Sequence, residues 1–185
     1  MSHAAVAASI SALASGRECA TSHRANVAVR IVVEAGPHEG VSSADLRRGA
    51  RAMLRALQLP NAELSILVTG DDQIRKLNQI YRRKNRPTDV LAFAMREGQH
   101  GERAGRLLGD VVVSVPTARR QARTSRRGVM TELTMLVAHG LLHLLGWDHD
   151  TPARDRRMRT ETKRLREAAE KAVRNERNGA SGTPA

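Results

Sequence analysis

The chain has 185 residues, 41% of them hydrophobic, which is enough for one ordinary domain with its own core. Its 31 Lys and Arg outnumber 19 Asp and Glu, leaving a formal charge of +12, so its surface attracts polyanions, nucleic acid before others. A single cysteine, Cys19, excludes an internal disulfide or a cysteine-built zinc cluster and suits a reducing cytoplasm; no apolar run approaches the roughly 20 residues of a membrane span. The three aromatic residues, Tyr81, Phe93 and Trp147, are too few for a base-stacking platform, so any RNA binding must lean on charge.

Residues 1–24 are rich in Ala and Ser and lack the basic start of a secretory signal; they read as a disordered extension. "NVAVRIVVE" is valine-rich and alternating, which predicts a strand. "SSADLRRGARAMLRAL" predicts an amphipathic helix with Ser43 as N-cap and Leu46, Met53, Leu54 and Leu57 on one face. "AELSILVTG" predicts a second strand, and "DDQIRKLNQIYRR" a helix capped by Asp71 that repeats Ile74, Leu77 and Tyr81. "TDVLAFAM" and "GDVVVSV" predict two further strands across an exposed loop, residues 97–106. After Pro116 three helical stretches follow, "TARRQARTSR", "TELTMLVAHGLLHLLG" and "PARDRRMRTETKRLREAAEKAVRNE", and residues 179–185 read as a disordered tail. The expectation is an α/β (α+β) domain over residues 25–178: a mixed sheet of about four strands packed by helices, with a metal site at a helix end.

That site rests on "AHGLLHLLGWDHD", residues 138–150. His139 and His143 are four apart, which on a helix puts both rings on one face about one turn apart. Gly146 lets the backbone leave the helix through the left-handed region, and His149 can then return to the same point. Three imidazoles and a fourth position open to water are the ligand set of a catalytic zinc site. The spacing H-x-x-x-H-x-x-G-x-x-H is also that of the metzincin proteases, but their general base is a glutamate directly after the first histidine, and here that residue is Gly140. A protease would have its metal and lack its base. With a strongly basic surface, the residues point instead to RNA, whose phosphoryl oxygens a metal polarises.

"HGLLHLLGWDH" resembles the signature of the YbeY-type endoribonucleases, bacterial rRNA maturation factors, whose pattern is H-G-x-L-H-L-x-G-[YW]-D-H. "LNQIYRRKNRPTDVLAF" at residues 77–93 and "LGDVVVS" at 108–114 extend the resemblance in the expected order over most of the domain. Asn85 stands where that family often has Asp, and Ala92-Phe93-Ala94 where it usually has Ser-Phe-Pro. The resemblance implies a single-strand-specific, metal-dependent endoribonuclease that matures the 3′ end of 16S rRNA and serves ribosome quality control. It implies one zinc ion per chain on His139, His143 and His149, with Arg82 as the catalytic arginine. Ribosomal RNA, the small ribosomal subunit and an assembly GTPase are the implied partners.

Arg82 has an independent rationale, since a guanidinium is always charged and can hold a phosphate bidentately. Residues 75–127 carry 14 Lys or Arg against 4 Asp or Glu, and Arg83, Lys84 and Arg86 are expected to track the RNA backbone. Residues 151–178 carry 10 basic and 5 acidic side chains, mixed as on a solvated helix, and are not assigned to RNA. Asp148 and Asp150 are the base, partners of His149 or turn residues, and Glu132, seven residues before His139 on the same face, could support that ligand but reads first as a surface charge. The alternative function is an RNA-binding assembly factor with a structural metal, for which His100 would be the conceivable fourth ligand. Whether metal-activated water or the RNA 2′-hydroxyl attacks, and in what oligomeric state, the residues leave open.

Overall fold

The computed structural model describes residues 29–34, 36, 38–95 and 106–180. The expectations for residues 1–24, for the loop at 97–105 with His100, and for residues 181–185 lie outside the described residues, while residues 179 and 180, expected in the tail, continue the last helix. The described elements are β1 (Val29–Val33), α1 (Ser43–Ala56), β2 (Glu63–Thr69), α2 (Asp71–Arg82), β3 (Val90–Ala94), β4 (Leu107–Ser114), α3 (Val115–Thr124), α4 (Val129–Leu144) and α5 (Pro152–Ala180). This is the expected α/β layer, a four-stranded mixed sheet with helices packed on it.

The strand order is β1-β2-β4-β3. β1 and β4 both run parallel to β2, while β3 returns antiparallel along β4, with Phe93 opposite Asp110. β2 and β4 lie inside the sheet and are buried on both faces, which is why "LSILVT" and "VVV" are nearly unbroken apolar runs. One face, through Leu64, Ile66, Val68, Val111 and Val113, meets α1 and α4, with α5 packed behind them; the other, through Leu67, Val112 and Leu91, meets α2. At the start of β4 a register shift admits Gly109, whose φ is +141°. A Cβ there would lie 2.1 Å from the Phe93 carbonyl oxygen, so only glycine lets β3 pair across this point.

α4 is apolar nearly all round, the pattern of a helix buried inside a domain, and it runs between the sheet and α5. Two helix starts differ from expectation. The cap of α1 is Ser42, whose hydroxyl accepts from the Asp45 N–H at 3.2 Å. Adjacent serines both suit the role, and the first residue to leave extended backbone decides it. Asp71 does not cap α2. Its carboxylate reaches across to accept from Ser114, from Thr117 at 2.7 Å and from Arg120 at 2.9 Å, tying the start of α2 to that of α3. The Ser114 hydroxyl also caps α3.

Burial works against the Asp71 anion, but the hydrogen bonds from Ser114, Thr117 and Arg120 outweigh it and hold the carboxyl below its ordinary range. A depressed native pKa contributes stability that is present above the unfolded value and lost as pH falls through the folded one. Asp71→Asn should therefore cost about 1–2 kcal/mol in urea unfolding at pH 7. The difference from wild type should shrink when the same titration is run below about pH 4.

Candidate metal centre

The site begins where α4 meets the sheet. At Gly140 the helix comes so close that a Cβ would lie 2.8 Å from Val111 Cγ1 and 3.2 Å from Val90 Cγ2. With Gly140 turned to the sheet, the neighbouring His139 and the later His143 stand half-exposed, away from it. The glutamate of a zinc protease has no room at this position.

α4 then ends in a Schellman turn. The Gly146 N–H donates to the His143 carbonyl and the Trp147 N–H to the Leu142 carbonyl, both at 3.0 Å, with Gly146 at φ +78°. Trp147 lies against the core, and the Arg157 guanidinium of α5 sits over its ring at 4.8 Å. The chain is thereby turned back at a fixed angle and His149 returns to the other two. The His139 and His143 Nε2 atoms are 3.2 Å apart, and one nitrogen from each of the three rings falls within 4.8 Å of the others. His143 occupies the last turn of α4, where the helix dipole favours a cation.

These residues fit a metal ion. Two imidazole nitrogens on one tetrahedral zinc are separated by about 3.3 Å, given Zn–N bonds of about 2.0–2.1 Å, close to the separation here. Burial, then the nearness of His143 and His149, holds His139 below the usual imidazole range. Burial and then His149 do the same for His143, opposed by a hydrogen bond to the Trp147 backbone of the kind that orients a ligating ring. Both rings are therefore neutral at pH 7, the form that binds metal. Three imidazoles leave one tetrahedral position without a protein ligand among the described residues.

Arg82 is the last residue of α2 and is exposed, yet its charge reaches His143 and adds to the lowering of that ring's pKa. Arg83, which takes the left-handed conformation at φ 56°, Lys84 and Arg86 follow on an exposed turn. Among the described residues no hydrogen bond or ion pair joins these three to the histidines, and none of the four cations has an ion-pair partner. The turn is clamped from within: Asn78, 3% exposed, donates to the Arg86 carbonyl at 2.8 Å, and Tyr81 meets Phe93 edge-on with centroids 5.1 Å apart. Asp150 pairs with Arg154, and Asp148 Oδ1 lies 4.0 Å from His149 Nδ1.

Two residues of the site were not legible as such. Asp89, just before β3, is held by the Val90 N–H at 2.8 Å and by Gln121 at 2.9 Å, and its negative charge is felt at His139. Glu132 is not a surface charge: it is 2% exposed, because α3 and α5 close over the face it shares with His139. Its spacing of seven from His139 was the available signal.

The packing at Gly140 can be tested apart from the metal. Gly140→Ala should lower stability by about 1–3 kcal/mol through overpacking on Val111, and Gly140→Glu by more, without creating peptidase activity. His143→Ala should keep its fold by circular dichroism and lose the bound metal in elemental analysis.

A family model described as Endoribonuclease YbeY matches residues 37–170. The chain is similar to proteins named Endoribonuclease YbeY from Anaeromyxobacter sp. (strain Fw109-5), 53% identical over 113 residues, and from Geobacter metallireducens, 42% identical over 118. These matches cover 61% of this chain and 57% of the first protein, and 64% and 79% for the second, so the chain spans little more than half the length of the Anaeromyxobacter relative. The solution structure of a Thermotoga maritima protein superimposes with a TM-score of 0.57 at 24% identity, covering 80% of this chain and 93% of that one, and shares the fold. By the extent of the family match, the chain belongs to the Endoribonuclease YbeY family.

Proposed function

We propose that the protein is a zinc-dependent, single-strand-specific endoribonuclease acting in 16S rRNA 3′-end maturation and ribosome quality control, with residues 25–178 as the nuclease domain. The observation that carries this reading is the convergence of three imidazoles, with one ligand position open, within electrostatic reach of Arg82. The family to which the chain belongs supports RNA as the substrate.

His139, His143 and His149 hold the zinc ion in this scheme, fixed by the helix and by the Schellman turn that follows it. A zinc ion bound there supplies Lewis-acid polarisation of a phosphoryl oxygen and lowers the pKa of a coordinated water to about 7. Arg82 holds the scissile phosphate and stabilises the charge that builds as phosphorus becomes pentacoordinate. Among the described residues no carboxylate pairs with it, which leaves the guanidinium available for that task. Arg83, Lys84 and Arg86 follow the backbone of the same strand, each contact adding salt-dependent affinity.

Ribosomal RNA is the proposed partner, with the small ribosomal subunit and an assembly GTPase as the proteins that bring the enzyme to it, in the cytoplasm. No helix among the described residues is long and apolar enough to cross a membrane.

The test compares wild type, His143→Ala and Arg82→Ala, purified in parallel, on a labelled single-stranded RNA, with metal measured on each sample. Wild type should cut; the histidine variant should lose metal and cleavage together. Arg82→Ala should keep its metal and slow by roughly 100- to 1,000-fold, the size of losing one transition-state donor. Equal cleavage by all three would mean a contaminating nuclease, and metal-loaded wild type that binds RNA without cutting it would replace this reading with that of an assembly factor.

A further inference from the structure

Beside the histidines, α3, α4 and α5 enclose a cleft of about 890 Å³ with His139 at its edge. Its rim carries five cations, Arg120, Arg127, Arg159, Lys163 and Arg166, and two carboxylates, Asp89 and Glu132, also line the cleft. Each of the five has an acidic neighbour, Arg120 with Asp71, Arg127 with Glu132, Arg159 with Asp155, Lys163 with Glu167 and Arg166 with Glu170; the most exposed of these pairs, at Arg159 and Lys163, contribute little and leave those cations open to a phosphate.

The floor is unusual. Gln121 Oε1, Glu132 Oε2 and Thr162 Oγ1 are buried side-chain oxygens with no hydrogen-bond partner. Among the described residues only four side-chain atoms are in this condition, and three of them belong to residues lining this one cleft. Each such atom costs about 1–3 kcal/mol unless something pairs with it, so three of them on residues that line one cleft point to a ligand. Their roles are defined. The Gln121 amide nitrogen already donates to Asp89, which turns its oxygen inward as an acceptor. Glu132 is 2% exposed, and its nearest cation, Arg127, stays 4.0 Å from Oε2, beyond hydrogen-bonding distance. Burial, opposed by Arg127 and Arg166 and reinforced by Asp89, pushes its carboxyl above the ordinary glutamate range. Met135 and Leu136 supply apolar wall between floor and rim.

A cationic rim over an acceptor-rich floor matches a ligand with a phosphate at one end and a ring carrying N–H donors at the other. Guanine offers N1–H and an N2 amino group side by side, the spacing a carboxylate accepts with both oxygens. Uracil offers one N–H between two carbonyls, which would face the floor acceptors without a partner. We propose that this cleft is a base-reading subsite for one nucleotide of the RNA strand, and that Gln121, Glu132 and Thr162 select guanine over uracil. The inference deepens the ribonuclease reading above and rests on it for the identity of the strand.

The test is calorimetric titration of the metal-loaded full chain with guanosine, inosine and uridine 5′-monophosphates, on wild type and Glu132→Gln. Wild type should bind the guanosine nucleotide roughly tenfold or more tightly than the uridine one, with inosine, which lacks the N2 amino group, between them. Glu132→Gln should bring all three within about threefold of one another, mainly by weakening guanosine. The inosine arm needs no mutation and stands even if the variant fails to fold. Equal affinity of wild type for all three, or a guanosine preference untouched by Glu132→Gln, would overturn the proposal and leave a cleft that binds phosphate and water. Base preference in a protein that never cuts RNA would retain the subsite and remove the nuclease reading; cleavage without base preference would do the reverse.

Discussion

The close approach of α4 to β3 and β4 at Gly140 is the constraint on which the site depends. A side chain there would push the helix off Val111 and Val90, and His139 and His143 ride on that helix. The same contact explains a chemical absence. The general base of a zinc protease belongs at position 140, where this fold needs bare backbone against a valine. The protein thus carries protease-like histidine spacing on a scaffold that cannot carry protease chemistry at that residue, and its proton acceptor must come from elsewhere or from the substrate.

Three aromatic residues in the whole chain all serve to position polar groups. Tyr81 and Phe93, touching edge to face, bracket the loop that displays Arg82, Arg83, Lys84 and Arg86. Trp147, pinned between the core and Arg157, fixes the turn that returns His149. Scarcity of aromatics therefore bears on more than stacking: each large ring is placed where an exposed functional segment needs an anchor in the core. The charge is divided in a similar way. On α5 Arg159, Arg164 and Arg166 pair with acids of their own helix, Asp155, Glu161 and Glu170, while its Met158, Leu165 and Ala169 enter the core. The four cations of residues 82–86 have no such partners among the described residues and confront solvent with their full charge.

Much of this was legible in the residues. Periodicity gave the helices and strands, and glycine after a two-histidine helix foretold both the turn and the return of the third ring, because φ preference and helical spacing are local properties. What depends on distant packing was not legible. Ser42 rather than Ser43 caps α1 because of where the preceding chain arrives. Asp71 looks like a helix cap in sequence, but its partners Ser114, Thr117 and Arg120 lie more than forty positions away. Glu132 looks like a surface charge until α5, folding back from beyond the metal loop, covers it. Gly140 reads as a gap in a motif, and only the β4 register shows it to be a packing requirement.

The central claim is that three imidazoles, brought together by one helix and one turn, form a metal site with a position left for substrate. X-ray absorption at the zinc edge of the metal-loaded full chain tests it most directly. The expected first shell is three imidazole nitrogens and one non-protein oxygen donor, all at about 2.0–2.1 Å, with the outer-shell scattering of three imidazole rings and no more. A fourth protein ligand, whether another imidazole or a sulfur at about 2.3 Å from Cys19, would mean a closed structural site and would contradict the account.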